Sequence, residues 1–251
     1  MIKLETRDRI ARIELARIDK KNALTGDMYS AMVDALAAAE SDDAVRVILI
    51  HGTRDCFTAG NDLKDFLAPP SGGPSPGFRF ISALPKLAKP LVAAVGGAAV
   101  GIGTTMLLHC DLVYAAPNAR FQMPFVPLGL VPEAASSLLL PMVAGYQRAA
   151  ELLLLGQPFS AEKALAAGFV TEIVPENELL EYARKAAVAV AALPPASVRA
   201  TKALMKRQLG QAIAAQMEEE RRIFAERLQS GEAKEAMTAF FEKRKPDFSR
   251  F

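Results

Sequence analysis

The chain has 251 residues, 51% of them hydrophobic and 23% charged, which is enough apolar content for a sizeable core and too much for global disorder. Against 28 acidic residues stand 30 basic ones, a formal charge of +2, so the balance demands neither nucleic acid nor an anionic membrane as partner. The two cysteines, Cys56 and Cys110, show no metal-ligand spacing and make no disulfide framework, and a reducing, cytoplasmic setting is expected.

The first nine residues, Met1 to Arg9, alternate in charge and contain no apolar signal core. Alternation over Ile10–Leu15 predicts a strand. Thr25 can cap a helix running to about Glu40, with Met28, Met32, Val33 and Leu36 along one face. The β-branched run 45–51 predicts a buried strand. A small-residue turn, Phe57-Thr-Ala-Gly-Asn-Asp-Leu63, follows and leads into a helix-like piece near Asn61. Pro and Gly crowd 68–77, which reads as a mobile loop beside that turn. A helix over 78–87 precedes a strand over 90–95, and a second small-residue turn, Gly96-Gly-Ala-Ala-Val-Gly-Ile-Gly103, opens a buried helix over 101–109. Strands are predicted at 112–115 and 120–123. From Glu133 onward the pattern is helical, over roughly 133–144, 146–155, 160–167, 176–192, 196–207, 211–229 and 231–243, with 169–174 as the only late strand. Strands alternating with helices and ending in a helical tail indicate an α/β fold with a partly parallel sheet. The longest apolar runs, 87–100 and 138–143, are too short or too interrupted to span a bilayer.

Each turn follows a strand and opens a helix, where backbone N–H groups without intrahelical acceptors can hold developing negative charge. The second turn fits no nucleotide motif, because Met106 stands at the third glycine position of a dinucleotide fingerprint and no Lys-Ser or Lys-Thr follows. Glu133 has two open readings. After Pro132 it can be a first-turn acid that complements a helix dipole. Its uncharged flanks equally predict a partly buried carboxylate with a raised pKa, suited to act as a base. His51 and His109 form no triad with a serine, and Ser136 and Ser137 lack a Gly-x-Ser-x-Gly elbow. No spacing of His, Cys and carboxylates predicts a metal. The run Glu218-Glu-Glu-Arg-Arg222 reads as a solvated helix face.

Several stretches together resemble the crotonase superfamily of enoyl-CoA hydratases and isomerases. They are Lys21-Asn-Ala-Leu24, Phe57 to Lys64, Lys89-Pro-Leu-Val-Ala-Ala-Val95 with the glycine turn, Cys110-Asp-Leu-Val-Tyr-Ala115, Ala164-Leu-Ala-Ala-Gly-Phe-Val170 and the tail 240–248. The resemblance implies a spiral of ββα units over 1–192 holding an acyl-CoA site. It implies a helical C-terminal region over 193–251 that forms a homotrimer, or a hexamer as a dimer of trimers. Acyl-coenzyme A would be the substrate, with no resident cofactor. The thioester oxygen would lie between the amides of Asn61 and Ile102, within Ala59-Gly60-Asn61-Asp62-Leu63 and Gly101-Ile102-Gly103. Lys20, Lys21 and Ala23 would border the coenzyme A nucleotide, and Phe240 and Lys243 would reach a neighbouring subunit's ligand. Hydratases of this family use two glutamates; this chain has Thr105 and Phe125 at the matching positions. The segment from Pro124 through Gly129 to Pro132-Glu133 and Ser136-Ser137 is instead similar to the peroxisomal-type 3,2-enoyl-CoA isomerases, in which one glutamate shuttles the proton during fatty-acid oxidation. Glu133 would be that glutamate, with Phe125, Leu128 and Val131 walling the acyl chain. The alternatives are hydration or another acyl-CoA reaction, and a non-catalytic acyl-CoA-binding protein.

Overall fold

The strands seen as apolar runs occupy the middle of a sheet in the computed structural model, which describes residues 1–62 and 74–251. Strands β1 (Ile2–Arg7), β2 (Ile10–Leu15), β3 (Val47–His51), β5 (Leu91–Val95), β7 (Leu112–Ala115) and β10 (Glu172–Ile173) form a six-stranded sheet in the order β1-β2-β3-β5-β7-β10. Every residue of β3 and β5 is buried, as central parallel strands require. Side chains alternate between faces: Val47, Leu49, Val92 and Ala94 pack on Leu179, Ala183 and Ala187, whereas Ile48, Ile50, Ala93 and Val95 enter the main core.

A smaller sheet collects β4 (Cys56–Thr58), β6 (Ala98–Val100), β8 (Arg120–Gln122) and β9 (Phe159–Ser160), in the order β4-β6-β8-β9. The chain thus steps three times from the large sheet to the small one, β3 to β4, β5 to β6 and β7 to β8, with parallel neighbours in both. This is the spiral that the resemblance implies. The two turns lie where the chain leaves the small sheet, after β4 and after β6.

The α-helices among the described residues are α1 (Gly26–Ser41), α2 (Pro76–Ala83), α3 (Ile102–Thr105), α4 (Ser136–Ala144), α5 (Tyr146–Leu155), α6 (Ala161–Ala166), α7 (Leu179–Ala191), α8 (Pro195–Lys206), α9 (Gly210–Leu228) and α10 (Gly231–Phe241). Thr25 caps α1 as expected, its side chain accepting the Met28 N–H at 3.3 Å. The buried face of α1 carries Met28, Tyr29, Met32, Ala35, Leu36 and Ala39, with Val33 only partly buried.

Several expectations are corrected. Ile2–Arg7 is a strand paired antiparallel with β2, and its charges line an exposed edge. Asp8 and Arg9 make the hairpin turn with φ of 53° and 65°, the left-handed pair that a two-residue loop needs. Residues 169–174 are not the only late strand, because Phe159–Ser160 joins β8, and the strand itself shortens to Glu172–Ile173. The helix expected over 101–109 is one α-helical turn that tightens into a 3-10 turn at Met106–His109. The helix expected from Glu133 starts only at Ser136. Leu63, the helix-like piece beyond Asn61 and positions 68–73 of the Pro/Gly stretch lie outside the described residues. No helix among the described residues is long and apolar enough to cross a membrane.

Candidate active site

The first turn is fastened to the segment before α1 by a ladder of short-range bonds. Asn22 is fully buried in left-handed conformation, φ 54°, and its Nδ2 donates to the carbonyls of Cys56 at 3.0 Å and Phe57 at 3.1 Å. The Thr58 hydroxyl donates to the Asn22 carbonyl at 2.6 Å and accepts the Gly60 N–H at 3.1 Å. The Ala59 N–H donates to the Lys21 carbonyl at 2.9 Å. Leu24 N–H donates to the Gly60 carbonyl at 2.8 Å, and Asp62 N–H donates to the Leu24 carbonyl at 2.9 Å. This is a parallel bridge between Leu24 and Asn61. In such a bridge the partner's flanking residues make both bonds, so the N–H of Asn61 itself faces away from Leu24. Arg17 locks the far side, donating from Nη1 to Asp62 Oδ2 at 2.6 Å and to the Ala23 carbonyl at 2.9 Å.

In the second turn Gly101 donates its N–H to the Gln122 carbonyl at 2.9 Å, and its own carbonyl accepts from Thr104 and Thr105 at 2.9 and 3.0 Å. The Ile102 amide therefore stands at the first position of α3, where a helix supplies no acceptor. The two turns press together. A Cβ on Gly60, whose φ is +88°, would lie 2.9 Å from the Val100 carbonyl oxygen, and one on Gly103 would lie 2.5 Å from Thr58 Cγ2. The Gly103→Ala variant should accordingly lose about 1–3 kcal/mol of stability and part of its turnover by pushing the α3 amides away from the first turn. Thr58→Ser deletes the clashing methyl while keeping the hydroxyl, so the double variant should recover most of both losses. Thermal melts and turnover of the single and double variants check this.

Glu133 is not a first-turn helical acid. Ala134 and Ala135 intervene before α4, both left-handed, with φ of 61° and 54°. For residues with a Cβ that conformation costs about 1–2 kcal/mol each. Glu133 is half-buried as a residue, yet its Oε1 is closed off and has no hydrogen-bond partner among the described residues. Burial, and secondarily the charge of Glu220, push its carboxyl up to about 8. The main-chain carbonyl of Glu133 is held by the Ser136 N–H at 3.0 Å and the Ser136 hydroxyl at 2.6 Å. The His109 Nε2 lies 2.8 Å from the Ala134 carbonyl, which can only accept, so the ring proton sits on Nε2. Burial holds that imidazole down to about 4, hence neutral.

Sequence reasoning missed two residues that converge here. The hydroxyl of Tyr29 donates to Asn61 Oδ1, and its ring packs against Phe80 with centroids 5.7 Å apart. Burial raises this phenol well above its ordinary range, and the Glu133 charge adds to the effect, so tyrosine, Asn61 and glutamate share one site. A signal existed, because Tyr29 sits at i, i+3 and i+7 with Met32 and Leu36 on the buried face of α1. The second is Glu220, in the run read as solvated. Glu218 and Glu219 do pair outward with Arg221 and Arg222, but Glu220 is only 5% exposed. It continues the buried face Ile213, Met217 of α9 at i+7, a period visible in the sequence.

The remaining expected residues fall as follows. Thr105 is fully buried with its Oγ1 unpartnered among the described residues. Phe125 is buried, while Leu128 and Val131 are partly buried, along the segment that leads to Glu133. Lys20 and Lys21 are exposed beside the first turn; the Lys21 carbonyl accepts the Ala59 N–H of that turn, and the Ala23 carbonyl accepts from Arg17. Phe240 and Lys243 stand exposed at the end of α10, where Phe240 packs on Phe241 and Lys243 bonds back to its own helix. Among the described residues no hydrogen bond, ion pair or ring contact joins either of them to Glu133. No group of three or more His, Cys, Asp or Glu among the described residues forms a metal site.

The Asn61 amide turned away from its bridge partner, the Ile102 amide at a helix start and the closed-off Oε1 of Glu133 are the kinds of group that proton transfer next to a carbonyl requires. A sequence model of the enoyl-CoA hydratase/isomerase family matches residues 5–250, and the chain belongs to that family. It is 37% identical over 244 residues to enoyl-CoA delta isomerase 2 of Rattus norvegicus, a match covering 94% of this chain and 62% of that protein. The chain thus spans less than two-thirds of that relative's length. It is 33% identical over 244 residues to 2,3-dehydroadipyl-CoA hydratase of Escherichia coli K12, covering 96% of this chain and 95% of that protein. Among solved structures it is similar to an enoyl-CoA hydratase/isomerase from Pseudoalteromonas atlantica, with a TM-score of 0.96, 44% identity and 99% of each chain covered. The fold is the crotonase fold.

Proposed function

We propose that this protein is a 3,2-enoyl-CoA isomerase, shifting the double bond of a 3-enoyl-CoA into conjugation with its thioester. The observation that carries the reading is Glu133, whose carboxylate Oε1 is closed off and has no hydrogen-bond partner among the described residues. The two positions at which the resemblance puts a hydratase's glutamates hold Thr105 and Phe125, and Glu220 is turned onto the backbone behind the site. The Asn61 and Ile102 amides polarise the thioester carbonyl. Glu133 takes a proton from C2, giving a dienolate whose oxygen the amides hold, and the same carboxyl returns the proton at C4. One base completes the cycle because no water is added. Phe125, Leu128 and Val131 keep the dienolate dry.

In the C-terminal region that the resemblance assigns to the trimer, Leu204, Met205, Phe240 and Phe241 are exposed apolar residues that such an assembly would cover. The family relatives include both isomerases and hydratases by name, so the discriminating test is water addition. Incubated with a 2-enoyl-CoA, the enzyme should leave the conjugated thioester absorbance essentially unchanged. A steady loss with formation of the 3-hydroxyacyl thioester would replace this reading with hydration.

A further inference from the structure

The C-terminal helices reach back onto the base's own loop. Glu220, near the middle of α9, points its carboxylate at the start of α4. Oε2 accepts the Ala135 N–H at 2.6 Å, and Oε1 accepts the Ser137 N–H at 3.1 Å and the Ser137 hydroxyl. Gln216, one helical turn earlier, donates to the same serine hydroxyl at 2.9 Å. Ala135 occupies the N-cap position of α4 and has no side chain with which to cap it. A residue 85 positions away supplies the acceptor instead. One of its bonds falls on the Ala135 N–H, in the peptide that joins the left-handed pair Ala134–Ala135 behind Glu133, and the other two fall on Ser137. The next segment upstream is gripped similarly: a Cβ on Gly129 would lie 2.6 Å from the Ala233 nitrogen at the start of α10.

We propose that Glu220 is a positioning residue for Glu133: from the C-terminal helices it holds the Ala135 N–H, between the two left-handed residues behind the base, and Ser137 at the start of α4, and so fixes the carboxylate's reach into the site. This rests on the reading of Glu133 as the base. An uncharged acceptor would cap α4 less completely, because the donors at Ala135 and Ser137 need both oxygens. The carboxylate also sets the electrostatics. Glu220 faces the base's loop from α9, Tyr29 faces it from α1, and neutral His109 faces it from the 3-10 turn after α3. Lys202 and Lys206 gather on Asp111, behind His109, and Arg221 and Arg222 pair outward with Glu218 and Glu219. Glu220 is therefore the charge that opposes ionisation of Glu133.

The experiment compares Glu220→Gln, Glu220→Asp and Glu133→Gln for kcat, KM and the pH profile of 3-enoyl-CoA isomerisation, with melts to establish folding. Glu220→Gln should lower kcat about 10- to 100-fold through a misplaced base while KM stays within about threefold. The rising limb of its kcat/KM profile should move to lower pH, because a like charge is gone. Glu220→Asp keeps the charge and shortens the reach, so it should lose turnover while its limb stays near that of wild type. Unchanged turnover and an unmoved limb in Glu220→Gln would overturn the proposal, and so would equal losses in both variants with neither limb moved, the pattern of a purely structural cap. If Glu220→Gln does not fold, Glu220→Asp and Ser137→Ala carry the test: folded variants at wild-type kcat would overturn it. Glu133→Gln separates the two claims. If it is inactive while Glu220→Gln is normal, only the positioning role falls; if it is active, the base reading falls and takes the positioning role with it.

Discussion

Replacing Glu133 with Gln should abolish isomerisation, with a fall in kcat of at least about a hundred-fold, and should leave acyl-CoA binding within a few-fold of wild type. The substitution keeps the volume and one acceptor oxygen but removes the group that takes the C2 proton. A hundred-fold loss corresponds to about 2.7 kcal/mol of barrier, a modest figure for the only base in a one-base cycle. The amides of Asn61 and Ile102 belong to the backbone and survive the change, so the thioester should still bind and polarise. Glu133→Asp should fall between the two, because the charge remains and the carboxylate withdraws by one methylene. Turnover and ligand titration on the same preparations check the prediction. A non-catalytic acyl-CoA-binding protein would show no turnover for the substitution to remove.

The second large effect is in pH. The base must be ionised to work, and burial, followed by the Glu220 charge, places Glu133 at about 8 in the ligand-free protein. kcat/KM reports the free enzyme, so it should climb about tenfold per unit as pH rises from 6, and level off above 8. The same shift acts on stability with the opposite preference. The folded state favours protonated Glu133, so its stabilising contribution is complete below the ordinary carboxylate range near 4.5 and is lost as pH rises through about 8. Glu133→Gln cannot ionise and escapes that loss. Its melting temperature should therefore exceed that of wild type at pH 9, by an amount reflecting about 1–3 kcal/mol, with little difference at pH 5. Rate profiles and paired melts test both halves, and a kcat/KM flat from pH 5.5 upward would contradict a raised base.

The parts of the site legible in the sequence are those written in backbone requirements. The glycine turns announce themselves because no side chain fits where Gly60 meets Val100 or where Gly103 meets Thr58. The buried strands were equally plain, since two covered faces demand uninterrupted apolar runs. Glu133 was legible as a lone acid among uncharged neighbours, but its setting was not. Pro132 imitates a helix start, and nothing in Ala134-Ala135 advertises a left-handed pair, because the acceptor that holds it is Glu220, far along the chain. Glu220 hid inside a run of five charged residues whose other members do face solvent. The edge strand Ile2–Arg7 hid for the same kind of reason: an exposed edge tolerates charges at every second position and more. Phe240 and Lys243 remain tied to the expectation of a neighbouring subunit, a relation that one chain does not contain.

The central claim is that one carboxylate moves one proton. Its most direct test is to mix the enzyme with a 3-enoyl-CoA and follow absorbance at the conjugated enoyl-thioester band, alongside Glu133→Gln. The account predicts a signal that rises and persists with wild type and is lost in the variant. No rise with wild type, while titration shows that the thioester binds, would contradict it.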